Sequence, residues 1–172
     1  VYPDTAVLLK TIRKNGFVAT LWRLANRISF AGADRIVSIG RCMTDVLKQN
    51  MPNRYHQKLR QIHVWGDDQN IIPIARSQNK LLARWGLNDK FIVLYSGNMG
   101  RFHDLETIME AALALRGEED IVFLFIGEGY KKNWAQDFSK KHHLDNCIFK
   151  TYVPREELAQ SLSIAHLGVV SL

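Results

Sequence analysis

From residue 87 onward, short apolar runs alternate with stretches in which apolar residues recur every three or four positions. Phe91-Ile92-Val93-Leu94-Tyr95, Ile121–Ile126 and Cys147–Lys150 are β-branched and aromatic runs of strand length, apolar enough to be covered on both faces. Between the first two, Leu105, Ile108, Met109, Ala112, Leu113 and Leu115 keep helical spacing behind Asp104, a capping residue, and Arg116-Gly117 is expected to close that helix. A second helix is predicted over 130–142, with Trp134, Ala135, Phe138 and the stem of Lys141 facing inward. A third is predicted over 156–164, through Leu158, Leu162 and Ile164, and Leu167–Leu172 opens another strand. Strands and helices in strict alternation predict an open, doubly wound parallel sheet.

The front of the chain is patterned differently. Residues 6–30 read as one long amphipathic helix or two, broken at Gly16. Val7, Leu8, Ile12, Phe17, Leu21, Trp22, Leu24 and Ile28 form the apolar side, and Lys10, Arg13, Lys14, Arg23 and Arg27 the basic one. A strand over 35–39, a helix over 41–49 and a strand over 59–65 then make a β-α-β unit. The segment 66–86 is irregular to Gln78, with Pro73 inside its only apolar run. It then carries a short helix over 79–85 closed by Gly86. This segment is expected to link a unit at 1–65 to one at 87–172.

Composition narrows the classes. At 172 residues and 47% hydrophobic content the chain can bury a core. It has no apolar run of about 18 residues, the length that would read as a transmembrane helix. Val1 is not an initiator methionine, and Leu167–Leu172 reads as a strand cut short, so a piece of a longer protein is expected. Cys42 and Cys147 are far apart and His142-His143 adjacent; neither arrangement suits a metal, and two free thiols in a reducing cytoplasm are expected. The net charge of +6 is uneven. Residues 1–65 hold 11 Lys and Arg against 3 Asp and Glu, while 66–172 hold 12 against 14. The basic half suits an anionic membrane surface or a phosphorylated acceptor. Nucleic acid is not expected, since no zinc finger or RNA-binding aromatic signature accompanies the charge.

Candidate chemistry gathers at the carboxyl ends of the predicted strands, where ligands of open α/β sheets bind. The loop Ser96-Gly97-Asn98-Met99-Gly100-Arg101-Phe102-His103 runs into a helix N-terminus. Its glycines allow close backbone approach, and Arg101 and His103 add donors for an anion such as a diphosphate. The loop is neither Gly-x-Gly-x-x-Gly nor a Walker sequence. Gly127-Glu128-Gly129 and Thr151-Tyr152-Val153-Pro154 are expected beside it, with Tyr152 and Pro154 flanking a flat base.

The succession Ala33-Asp34-Arg35-Ile36-Val37-Ser38 with Met43, Tyr95-Ser96-Gly97-Asn98-Met99-Gly100, Phe125-Ile126-Gly127-Glu128-Gly129 and Tyr152-Val153-Pro154 with Glu157-Leu158 resembles the family 4 glycosyltransferases of the GT-B fold. Within them it looks most like the bacterial sugar transferases of polysaccharide and lipopolysaccharide assembly. The resemblance implies two Rossmann-like, doubly wound parallel-sheet domains, both incomplete here. Residues 1–65 would end the acceptor-side domain and 87–172 begin the nucleotide-sugar domain.

It further implies a metal-independent, retaining transfer from a UDP- or GDP-linked sugar to a glycan or lipid-linked acceptor, with no cofactor. Gly97, Asn98, Gly100, Arg101 and His103 would hold the donor diphosphate. Gly127, Glu128, Gly129, Tyr152, Val153 and Pro154 would line the nucleoside. The family's paired glutamates would lie beyond Leu172, so no catalytic residue is assigned and the piece by itself is expected to be inactive. One departure stands out: the usual Ala-Asp before the fourth strand is Ala165-His166. A non-catalytic transferase-like module at a membrane surface and a nucleotide-sugar epimerase of the same fold are the competing readings. The parent is expected in the cytoplasm, with 6–30 in peripheral contact with an anionic membrane.

Overall fold

The computed structural model of the chain describes residues 6, 7 and 10–171. The chain divides into two compact units, with the division after Gly66.

In the first unit, α1 (Phe17–Gly32) is followed by β1 (Ile36–Ser38), α2 (Arg41–Asn50), a 3-10 turn (Asn53–Lys58) and β2 (Leu59–Gln61). The expected break at Gly16 is where α1 begins, because Gly16 is its extended N-cap. The portion of that expected helix at Leu8 and Leu9 lies outside the described residues. β1 and β2 run parallel, with Ile36 opposite Leu59 and Ser38 opposite Gln61. The strand expected over 59–65 stops at Gln61, because β1 ends at Ser38. The Ile62 N–H takes the Ser38 carbonyl at 2.9 Å as the last rung. Lys58 closes the far end of α1. Its ammonium donates to the carbonyls of Ala33 (2.7 Å), Ala31 (2.9 Å) and Phe30 (3.4 Å), groups that a helix C-terminus leaves without backbone partners.

The second unit holds α3 (Lys80–Trp85), β3 (Phe91–Ser96), α4 (Leu105–Ala114), β4 (Ile121–Ile126), α5 (Lys132–Lys141), β5 (Cys147–Lys150), α6 (Leu158–Ser163) and β6 (Leu167–Val169). The four strands form one parallel sheet in the order β5-β4-β3-β6. The chain moves outward from β3 to β5, then returns to the other side of β3, so the order reverses between β3 and β6. Successive strand residues face opposite sides. Val93, Tyr95, Phe123 and Phe125 pack with Leu105, Ile108, Met109 and Ala112 of α4 and Ala135 of α5. Ile92, Leu94, Val122, Leu124 and Ile126 pack on the other side with Leu81, Leu82, Leu87 and Ile164. Helices therefore cover both faces, as the unbroken apolar strands require.

Local departures from expectation have local causes. The second half of the expected 66–86 linker is part of this core: Leu81 and Leu82 of α3 are fully buried, and an apolar pair of that kind is expelled from solvent rather than left in a connector. Asn79 caps α3, and Gly86 ends it in the left-handed region (φ 69°), with its own N–H and that of Leu87 turned back onto Leu82. Gly117 has no such role, since α4 already ends at Ala114 through Leu115. Lys141 is exposed instead of laying its stem inward, and β6 is paired only over Leu167–Val169.

Candidate functional site

Register builds the site. Ser96 lies opposite Ile126, and Ile126 opposite Lys150, so β3, β4 and β5 end level and their three following loops start side by side. The Gly97 N–H continues the ladder to the Ile126 carbonyl (2.9 Å), and the Gly127 N–H to that of Lys150 (3.0 Å). The Met99 N–H then reaches the Glu128 carbonyl (2.8 Å), and the Lys131 N–H the Met99 carbonyl (2.9 Å). The first two loops are thereby laced together.

Two glycines make that lacing possible. Gly127 (φ 143°) and Gly129 (φ 144°) hold backbone angles that L-residues avoid. A Cβ on Gly127 would strike the Gly97 carbonyl and come within 3.4 Å of the Tyr152 ring. A Cβ on Gly129 would come within 2.6 Å of the Met99 carbonyl oxygen and 2.7 Å of Asn98 Oδ1.

Tyr95 ties the ends of the first loop. Its hydroxyl lies 2.9 Å from the Asn98 carbonyl and 2.7 Å from His103 Nδ1. A carbonyl only accepts, so the hydroxyl donates to Asn98 and His103 donates through Nδ1–H to the tyrosine oxygen. Burial, and then the neighbouring Tyr152, push the Tyr95 phenol above its ordinary range, which keeps it a neutral donor. Lys131 braces the loop from the side. Its ammonium donates to the His103 carbonyl (2.7 Å) and pairs with Glu106 (2.7 Å), whose carboxyl that bond holds low.

Electrostatics change one expectation. The N-terminus of α4 carries its own carboxylate: Asp104 accepts from the Thr107 hydroxyl (2.7 Å) and backbone N–H (3.1 Å), bonds that hold it below the usual range. That end of the helix dipole is already answered. The donors left for an outside anion lie in the loop before it. Among the described residues Arg101 has no acidic partner; its guanidinium carbon lies over the Tyr130 ring, 4.4 Å from the centroid. A cation–π contact engages the charge through the ring face and uses none of the guanidinium's hydrogen-bond donors on an acceptor atom.

The structure thus brings Gly97, Asn98, Gly100 and His103 of the first loop beside Gly127 and Gly129, with Tyr152 against Gly127. Other members of the expected nucleoside wall are partly committed elsewhere. The Glu128 carboxylate pairs with Lys132, Val153 packs against the core cluster that includes Leu81, Leu82 and Ile164, and Pro154 starts the 3-10 turn Arg155–Glu157. Sequence reasoning passed over Tyr95, Tyr130 and Lys131. The one signal available was a hydroxyl-bearing side chain at the tip of an otherwise apolar strand. A cleft at the opposite, amino-terminal ends of the strands is lined by Trp85, Lys90, Arg116, Glu118 and Asp145. It has charges of both signs, and the glycine that lines it, Gly86, is the C-cap of α3. Among the described residues no three His, Cys, Asp or Glu side chains are grouped to hold a metal.

A parallel sheet wound on both faces, with glycine loops meeting at the carboxyl ends of its strands, is the architecture of a nucleotide-binding Rossmann-like domain. Residues 77–172 match the model of the group 1 glycosyl transferases, and the chain belongs to that family. It is 28% identical over its whole length to WbjE of Pseudomonas aeruginosa, provisionally described as a glycosyltransferase, and covers 42% of that protein. It is 30% identical over 79% of its length to WcaI of Escherichia coli K12, provisionally described as a colanic acid biosynthesis glycosyl transferase, and covers 33% of it. The chain therefore spans well under half of the curated relatives it matches. Among solved structures it superposes on HepE (Alr3699) of Anabaena, crystallised with UDP and glucose. The TM-score is 0.71 at 13% identity, over 87% of this chain and 41% of that one. The fold is the mixed α/β, parallel-sheet arrangement of the GT-B glycosyltransferases, present here in part.

Proposed function

We propose that the protein transfers a sugar from a nucleotide diphosphate sugar, with the three loop tips of the second unit holding the donor. One observation carries this reading: Gly97, Gly127 and Tyr152 meet at the carboxyl ends of the strands, and Arg101 of the first loop, over Tyr130, has no acidic partner among the described residues. Gly97, Asn98, Gly100, Arg101 and His103 hold the diphosphate; Gly127, Glu128, Gly129, Tyr152, Val153 and Pro154 line the nucleoside, Val153 through its backbone. As the glycosidic bond of the donor breaks, negative charge grows on the departing nucleoside diphosphate. Arg101, pre-set on Tyr130, stabilises that charge without first reorganising. Transfer needs no metal and retains the anomeric configuration, as the family resemblance implies.

The test is calorimetric titration of UDP-, GDP- and ADP-sugars into the intact protein. One of these donors is expected to bind, and Arg101→Ala to weaken it by about ten- to a hundred-fold, the loss of a charge-assisted contact. Unchanged affinity in the variant would remove Arg101 from the site. Turnover in the presence of a chelator, with the product anomer read by NMR, tests the finer points.

The first unit is proposed to belong to the acceptor side, its substrate a glycan or lipid-linked acceptor of bacterial polysaccharide assembly, colanic acid biosynthesis being the setting described for WcaI. Peripheral membrane contact is proposed for α1, where Phe17, Leu21, Leu24 and Ile28 form an exposed stripe at i, i+4, i+7 and i+11 near Arg23 and Arg27. Salt-sensitive binding to anionic vesicles, lost when Arg23 and Arg27 become Gln, is the expected result. Among the described residues no helix is long and apolar enough to cross a membrane.

A further inference from the structure

We propose that His103 grips the donor's diphosphate as an imidazolium, so that donor binding takes up a proton. This rests on the donor site proposed above. Nδ1 of His103 already carries a hydrogen, because the Tyr95 hydroxyl spends its own on the Asn98 carbonyl. In the neutral ring Nε2 is therefore a bare lone pair. Nε2 has no hydrogen-bond partner among the described residues. It lies 3.5 Å from the position a Cβ on Gly100 would take, and Asn98 Nδ2 lies 3.1 Å from the same point. Two side-chain nitrogens thus crowd the same side of Gly100, where even a methyl group would press on the Asn98 amide.

A phosphoryl oxygen bridging these two nitrogens from outside the loop accepts a hydrogen bond from the Asn98 amide and meets the Nε2 lone pair. Adding a proton at Nε2 turns that repulsion into a charge-assisted bond. The change costs the anchor nothing, since Nδ1 donates to Tyr95 in both ring states. Charged and titratable groups surround the ring. Lys131, on the His103 carbonyl, is neutralised by Glu106, and Asp104 is bound by Thr107. Arg101 remains as a cation on the same loop, held by Tyr130, while Tyr152 stands near the neutral Tyr95 phenol. Two phosphate charges outweigh the one guanidinium.

The test is calorimetry with UDP-glucose and GDP-mannose at pH 7.5, in buffers of different ionisation enthalpy. The phosphodiesters of these donors do not titrate near neutral pH, so any proton uptake belongs to the protein. Expected is uptake approaching about one proton per site, with Kd weakening by up to about tenfold per pH unit above neutrality. His103→Gln is expected to bind with no uptake. Ring nitrogen NMR on the unsubstituted protein gives a second reading: an Nδ1–H tautomer when free and an imidazolium with donor. Donor binding without uptake, or uptake that persists in His103→Gln, overturns the proton linkage and leaves the donor site standing. Binding of neither donor overturns the donor reading and this inference with it.

Discussion

Gly127 and Gly97 touch back to back: a side chain on Gly127 would occupy the space of the Gly97 carbonyl. The contact is between two loop backbones, so neither can yield by changing a rotamer. Gly127→Ala is therefore expected to cost about 1–3 kcal/mol through its backbone angle alone, with the collision added. It should also separate the loops and weaken donor binding. Gly117→Ala is the control, since nothing lies within 4 Å of its Cβ position and its φ is ordinary. Urea denaturation of both variants, with donor titration, checks the pair.

Arg76 precedes the family match, yet it staples the second unit. Its Nη2, with two hydrogens, is shared among the carbonyls of Asn88 (2.8 Å), Leu87 (3.0 Å) and Lys90 (3.0 Å), and Nη1 reaches that of Ile164 (3.4 Å). A lysine supplies one point of charge where this fork supplies several directed donors. Arg76→Lys is expected to lose about 1.5–3 kcal/mol in chemical denaturation, with donor affinity of the folded protein unchanged.

His166 sets a pH dependence far from the loops. Its Nδ1 accepts from the Ile92 N–H at 3.0 Å, and its own N–H returns to the Ile92 carbonyl at 2.9 Å. Burial first, and Arg76 second, hold its imidazole below the ordinary histidine range. The unfolded chain then binds a proton at a pH where the folded one does not. The stabilisation is complete above the ordinary histidine value and is lost as pH falls through the lowered one. The thermal midpoint is expected to drop from pH 7 to pH 5. His166→Asn, which keeps an acceptor without a titrating group, should flatten that slope.

The two thiols should differ in reactivity. Burial pushes the Cys147 thiol up to about 11, whereas Cys42 is exposed. Brief alkylation at pH 8 is expected to label Cys42 and spare Cys147 until denaturant is added, as mass spectrometry of the peptides will read.

The strands and helices of the second unit were legible because its apolar runs are long and end in punctuation: Asp104 caps α4 and Gly86 ends α3, as their types suggest. The front half was harder to bound. Whether 62–65 pairs depends on where β1 stops, a fact held elsewhere in the chain. The meeting of the three loops was foreseeable from topology. The commitments of their side chains were not. Nothing near Val153 in sequence says that it packs against the buried cluster of Leu81, Leu82 and Ile164, and Asp104, legible as a cap, gives no sign that Arg101 is left without an acidic partner among the described residues. Tyr95 escaped because a strand pattern scores the ring as apolar and ignores the oxygen at its tip.

The rung-for-rung alignment of β3 with β4 acts as a ruler. Deleting a single residue anywhere in Ile121–Ile126 would exchange the side chains pointing to the two helical layers and draw Gly127 back by one rung from Gly97. How many residues a strand contains thus matters as much to the meeting of these tips as which glycines they carry.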